Sequence, residues 1–248
     1  MRFYGLFLGL ALSLAATAAH AATATWSEEM TAAPGAAGWT IASGGGVVVN
    51  GSTWMLNGES SLLYNSANPA SNLLTYTYDF RVKLLDQVVT GSNPGRSWPV
   101  GVYMSDATNS MGRSQAWYGI EDGEPAYVLD KPYAKFPVTV DNGKAGLQLP
   151  IGQWSLLRVV QNQATNTTIL YLNGTPIGAS AAGGLNGPDD PLTIGGIEAP
   201  STIRVEWDYL RVFAGALNGT EALNAVPEPT AGLLALVSGA LAMVRRRR

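Results

Sequence analysis

The sequence contains no cysteine, and its single histidine, His20, stands within the first two dozen residues. No disulfide is available, so the folded body must be held by its apolar core. His20 lies in a segment built like a secretory leader: Met1-Arg2, an apolar run from Phe3 to Ala16, and an Ala19-His20-Ala21 site. Cleavage is expected at Ala21 or Ala22 by signal peptidase, which makes residues 1–22 a signal peptide. A membrane anchor is the competing reading, but the segment is short and lacks a stop-transfer flank. Without the leader the chain has neither imidazole nor thiol. Ser-His-Asp catalysis, Cys-His catalysis and Cys/His zinc cages are then excluded.

Charge is scarce too. Leader and tail hold five of the 15 Lys/Arg residues and one of the 18 Asp/Glu residues, which leaves ten against seventeen in the body. That balance provides no basic stripe, so nucleic acid is not an expected partner.

Long period-3.6 apolar stripes are missing, and no internal repeat is evident. What recurs is period-two alternation, punctuated by Gly, Asn, Pro and Asp. From Thr75 to Leu84, Tyr76, Tyr78, Phe80, Val82 and Leu84 share one face, while Thr77, Asp79, Arg81 and Lys83 share the other. One dry and one wet face place this strand at an outer surface of a layered sheet structure. Near the end of the body, Ile203, Val205, Trp207 and Tyr209 alternate with Arg204, Glu206 and Asp208. Residues 154–162 are apolar on both faces for most of their length, as expected of a central strand. Asn173-Gly174 between two strand-like runs is a hairpin signal, because a type I′ turn needs positive φ at both central positions. Further strands are expected over 47–49, 60–64, 98–104, 115–121, 138–140 and 192–194. Short strands with Gly-rich connections and no helices give an all-β sandwich or jelly roll, one domain over residues 23–222.

The final segment differs from the body. Pro227-Glu228-Pro229 cannot continue regular structure. An unbroken apolar run from Ala231 to Val244 follows, then Arg245, Arg246, Arg247 and Arg248. At about 1.5 Å per residue the run covers roughly 21 Å, short of the ~30 Å hydrocarbon core. A transient span is therefore expected, with the arginines on the cytoplasmic side. The order of tripeptide, apolar helix and basic end resembles the PEP-CTERM sorting signal of Gram-negative bacteria, here over residues 223–248. The resemblance implies that an exosortase, a membrane transpeptidase, recognises Pro227-Glu228-Pro229 and removes the helix. It also implies export to the cell surface or extracellular matrix, in bacteria that make exopolysaccharide and biofilm. A plain C-terminal membrane anchor is the alternative.

In the body, Trp154-Ser-Leu-Leu-Arg-Val-Val and the Thr168–Gly178 stretch resemble the strand pair of laminin-G-like domains. Residues 206–213 resemble the closing strand of concanavalin A-like lectins and glucanases, and Trp26-Ser-Glu-Glu fits the N-terminal strand that pairs with it. The resemblance implies a concanavalin A-like jelly roll of two antiparallel sheets.

Three chemistries can be weighed. Retaining glycoside hydrolysis needs two carboxyl groups about 5–5.5 Å apart. The nearest candidate is Glu121-Asp122-Gly123-Glu124, whose two glutamates fall out of phase if the segment is read as one strand. Lyases of this fold use His with Tyr, and the mature chain has no His. The expectation is therefore a non-catalytic protein, with a diverged glycoside hydrolase or lyase as the alternative. Glycan binding needs aromatic faces beside fixed polar groups. Trp117 and Glu121 are expected to point outward while Ala116, Tyr118 and Ile120 enter the core. Tyr103 points outward while Trp98, Val100, Val102 and Met104 point in. With Asp79 and Arg81, these residues form a polysaccharide groove if their strands share a sheet; otherwise they are ordinary surface aromatics and solubilising charges. A matrix protein without a ligand site is the third reading. Finally, resemblance to this fold implies a structural Ca²⁺ near the closing strand with Asp208 as its carboxylate; an exposed or strand-capping aspartate is the alternative. No other cofactor is expected.

Overall fold

The computed structural model describes residues 22–220, apart from the internal segments 44–46, 58–61, most of 67–74, 90–94, 107–111, 130–142, 145–147, 182–191 and a few single positions. Ala21, the strand expected over 138–140 and the tail residues Pro227, Glu228, Pro229, Arg245, Arg246, Arg247 and Arg248 lie outside the described residues. Ala24–Gly219 is one compact unit. Of the other unit, 1–23 with 220–248, only Ala22, Thr23 and Thr220 are described. Among the described residues no helix is long and apolar enough to cross a membrane.

The strands are β1 Trp26–Glu28, β2 Trp39–Ser43, β3 Val48–Asn50, β4 Thr53–Asn57, β5 Leu62–Asn65, β6 Thr75–Leu84, β7 Arg96–Asp106 and β8 Gly112–Glu121. They continue with β9 Glu124–Leu129, β10 Gly143–Lys144, β11 Trp154–Asn162, β12 Thr167–Leu172, β13 Thr175–Ala181, β14 Leu192–Ile197 and β15 Arg204–Ala214. Sheet A runs β13-β12-β11-β6-β15-β4-β3, with β1 beside β15. Sheet B runs β10-β9-β8-β7-β14-β5-β2. Every ladder among these strands is antiparallel.

Local sequence sets several of these features. Asn173 and Gly174 turn β12 into β13 with φ of 49° and 84°, as a type I′ hairpin requires. The Asn173 side chain also accepts a hydrogen bond from the Leu156 amide at 2.8 Å. The short opening strand β1 lies against the closing strand, Trp26 opposite Val212. Strand β11 is interior, between β6 and β12.

The core lies between the sheets. The inner face of β6 contributes Tyr76, Tyr78, Phe80, Val82 and Leu84, all buried. Their rings form a stacked ladder, with centroids 6.3 Å apart for Tyr76–Tyr78 and 6.2 Å for Tyr78–Phe80. Trp207 extends it at 5.7 Å from Phe80. Each such pair adds about 0.5–1.5 kcal/mol beyond burial of its area.

Two bulges break simple alternation. In β15 the register shifts between Trp207 and Tyr209, so Trp207 enters the core whereas Tyr209 lies opposite Arg81 on the outer face. The expected shared face of Trp207 and Tyr209 is corrected by this extra residue. In β7 the shift falls between Ser97 and Val100 and turns Trp98 away from the core that Val100, Val102 and Met104 enter. The expectation of Trp98 in the main core is corrected for the same reason.

Candidate functional site

The outer face of sheet A is polar but largely occupied. The wet row of β6 does not face open solvent at Asp79, which is 3% exposed. Asp79 takes two hydrogen bonds of 2.7 Å from Arg158, which is 1% exposed on β11. Arg158 also donates to the Asn218 carbonyl. The chain beyond β15 lies over this face, with the Leu217 amide donating to Thr77 Oγ1 and that hydroxyl donating to the Gly215 carbonyl. Further along, Arg81 pairs with Asp208 at 2.8 Å, Lys83 with Glu206, and Arg211 with Glu29 at 2.7 Å. Trp154 lies 5.0 Å from the Arg81 guanidinium and 4.8 Å from the Lys83 ammonium. Each of these cations has an acid beside it, so the face is balanced internally.

Asp208, the carboxylate expected for calcium, is engaged by a cation of the protein itself. A guanidinium already occupies the Asp208 carboxylate, where a cation would need it. Among the described residues no group of three acidic, His or Cys side chains converges.

Two carboxylates make the fold acid-sensitive. Hydrogen bonds from the Arg204 guanidinium hold Asp86 below its ordinary pKa. Burial raises the pKa of Glu206, but its bonds to Lys83 and Asn50 outweigh that and leave it lowered. A depressed folded-state pKa contributes stability that is present above the unfolded value and lost as pH falls through the folded one. Burial pushes Asp79 the other way, with Arg158 offsetting part of the rise. Thermal melts below about pH 4.5 should therefore show a falling Tm. Asp86→Asn and Glu206→Gln should flatten that fall, and an unchanged slope in both would contradict these assignments.

The outer face of sheet B has a different character. Trp98, Trp117, Ala126 and Val128 form an apolar cluster separate from the main core, with Tyr103 packed against it. Trp117 is expected to point outward, and it does lie on this face, but it is only 6% exposed; Trp98 is 4% exposed. Its ring lies over Gly101, where a Cβ would come within 1.8 Å of the ring. These tryptophans form a floor rather than an open stacking surface. The bulge beneath them needs Gly119, whose Cβ would meet the Ser97 carbonyl oxygen at 1.8 Å.

Beside this floor runs a cross-strand row. Thr40 on β2 pairs with Tyr64 on β5, Tyr64 with Thr193 on β14, and Thr193 with Tyr103 on β7. Their strand neighbours Leu63, Ile194, Val102 and Met104 enter the core, so the row faces outward. Both tyrosines are half-buried, and they stand two strand spacings apart, about 9–10 Å. In the adjoining register row Gly195 faces Gly101, over which the Trp117 ring lies. Tyr64 and Thr193 could not be found from sequence, because their pairing joins segments far apart in the chain.

Glu121 shares this face, at the far end of β8. It forms a 2.8 Å ion pair with Arg96. The expectation that Glu121 and Glu124 fall out of phase is corrected. Asp122 and Gly123, with φ of 53° and 80°, make a hairpin that sets Glu121 directly opposite Glu124. The single groove expected from Trp117, Tyr103, Glu121, Asp79 and Arg81 does not form. The first three lie on sheet B, whereas Asp79 and Arg81 lie on sheet A, across the core.

No protein-family model matches the sequence, and no curated protein does. Solved structures do. The carbohydrate esterase of the Shiga toxin-encoding bacteriophage phi24B aligns over 79% of this chain and 100% of its own, at 14% identity and a TM-score of 0.56. Domain 4 of a GH43 extracellular arabinanase from Geobacillus stearothermophilus, solved with arabinotriose, aligns over 75% of this chain and 87% of its own, at 19% identity and 0.50. The binding domain of Paraclostridial Mosquitocidal Protein 1 aligns over 79% of this chain at 16% identity and 0.50, and the chain spans 46% of that structure's length. The fold is a jelly roll of two antiparallel sheets. Identities this low show the architecture and leave the ligand to the site itself.

Proposed function

We propose that this protein is an exported, non-catalytic jelly-roll module of the concanavalin A-like kind. It binds an uncharged extracellular polysaccharide through the outer face of sheet B and is sorted by a PEP-CTERM-type tail. The observation that carries the binding reading is the Thr40–Tyr64–Thr193–Tyr103 row. Sugar rings present apolar C–H faces that suit tyrosine rings, while their hydroxyls suit the exposed Thr40; Thr193, between the two rings, is only 7% exposed. Two tyrosines separated by one strand fit an extended chain lying across the strands, with alternate sugars over the rings. Among the described residues the row carries no charge, which favours a neutral glycan. The arabinotriose-bound neighbour lends the reading general support.

Co-sedimentation with a panel of insoluble polysaccharides tests this. The native protein should bind at least one of them. Tyr64→Ala and Tyr103→Ala should each weaken that binding roughly tenfold, about 1.4 kcal/mol apiece. Unchanged binding in both variants would overturn the row. No binding to any polysaccharide would favour a structural matrix protein.

The sorting reading rests on Pro227-Glu228-Pro229, the 231–244 apolar run and Arg245–Arg248. It implies signal peptidase at Ala21 or Ala22, passage through the inner membrane, and processing by an exosortase. Replacing Glu228 or deleting Arg245–Arg248 should leave unprocessed precursor in the membrane. Normal processing in both would defeat it.

One observation favours a second reading. Glu121 and Glu124 lie directly opposite each other across a hairpin, which brings two carboxylates onto one face of the sheet. The Arg96 guanidinium, 2.8 Å from Glu121, weighs against it, since that carboxylate is already engaged in an ion pair. Reducing ends released by the native protein but not by Glu124→Gln would restore the enzyme.

A further inference from the structure

One end of the sandwich holds a cavity of about 200 Å³, away from the tyrosine row. Its walls come from both sheets: Leu84 ends β6 on one side, and Tyr118 and Ile120 on β8 stand on the other, with Leu149 and Ile151 from the segment before β11. That segment is pinned. The Leu149 amide donates to the Tyr118 hydroxyl at 3.1 Å, and the Gly152 amide donates to the Leu84 carbonyl at 2.7 Å. The pocket is therefore preformed rather than opened by its ligand.

Its chemistry is narrow. Among the described residues, every one that lines it is uncharged. Leu84, Val88, Ile120, Leu149 and Ile151 supply apolar surface, while Gln87 and Gln148 bring exposed carboxamides. Apolar surface continues outside: Ile151 is 53% exposed, and Val89, beside the lining Val88, is 47% exposed. The space equals about seven waters, too little for a long acyl chain and enough for one short group. With no charged partner among the described lining residues, a carboxylate, phosphate or ammonium would enter at a desolvation cost. A group with a methyl end and a carbonyl suits both parts, since carboxamide N–H groups donate to carbonyls.

We propose that this end pocket is a second ligand site, which takes a short uncharged acyl group such as the N-acetyl substituent of an amino sugar. The acyl methyl enters between Ile120, Leu149 and Ile151, and the sugar remains in solvent. The site shares no residue with the tyrosine row.

The test is an amide chemical-shift titration of the ¹⁵N-labelled protein with N-acetylglucosamine, glucose and acetate, followed at Gly119, Gly123 and Leu149. N-acetylglucosamine should move these amides saturably, while glucose and acetate move them less than a tenth as far. Ile120→Trp should fill the space and abolish the response, and Val88→Trp at the mouth does so without a change in the β8 strand. Tyr64→Ala should leave it intact, which separates this site from the polysaccharide face. No saturable shift in the native protein, an equal shift with glucose, or a full response in a folded filled variant would overturn the proposal.

Discussion

Arg158→Ala is expected to cost about 3–5 kcal/mol of folding stability, among the largest effects of any single substitution outside the core. Arg158 and Asp79 are nearly sealed from water and joined by two hydrogen bonds of 2.7 Å. Removing the guanidinium leaves a carboxylate that burial already disfavours, together with an Asn218 carbonyl that has lost its donor from Arg158. Breaking a buried pair costs more than replacing it whole. Arg158→Met with Asp79→Leu should therefore be much less destabilising than the sum of the single changes. Urea unfolding at pH 7 measures this. Additive losses would mean that the two residues act independently.

Gly119→Ala is expected to cost about 3 kcal/mol or more, at the top of the usual range for overpacking. The added Cβ would stand 1.8 Å from the Ser97 carbonyl oxygen, which is backbone and cannot rotate away. Either β7 and β8 separate or the bulge between Ser97 and Val100 is lost. Loss of the bulge would swing Trp98 out of the cluster with Trp117. A blue or red shift of tryptophan emission should accompany the lowered denaturation midpoint. A variant with native midpoint and emission would show that the bulge does not depend on this glycine.

Both substitutions concern features that alternation alone does not encode. The inner face of β6 and the Asn173-Gly174 hairpin follow from short-range pattern, the pairing of Trp26 with the closing strand is expected only from the family resemblance, and the structure places all three accordingly. Bulges are different. Each adds one residue to a strand and reverses the phase of the residues beyond it, which is why Trp98 and Tyr209 sit on faces that period-two reading does not give them. Pro99, inside β7, was the available signal for the first of these. Asp122-Gly123 is likewise a hairpin dipeptide, and reading it as a strand end hid the pairing of Glu121 with Glu124.

Site composition was less legible than the fold. Tyr103, Trp117 and Asp79 could be given a direction from sequence, but sheet membership depends on strand order. That order places β6 in one layer and β7 and β8 in the other, which separates Asp79 and Arg81 from the aromatic face. Burial was hidden as well. Trp117 is covered because Gly101 leaves room for its ring to lie flat, a contact between strands rather than within one. The tyrosine row combines β5, β14 and β7, joined by a register that no local pattern reports.

The most direct measurement is the binding of a soluble neutral oligosaccharide, chosen from whichever polysaccharide the protein retains, mapped by amide chemical shifts. Saturable shifts should cluster at Tyr64, Thr193, Gly195, Gly101 and Tyr103 and leave the outer face of β6 and β11 unmoved. Shifts centred on Arg81 and Trp154 instead, with the tyrosine row silent, would contradict the assignment of the ligand face to sheet B.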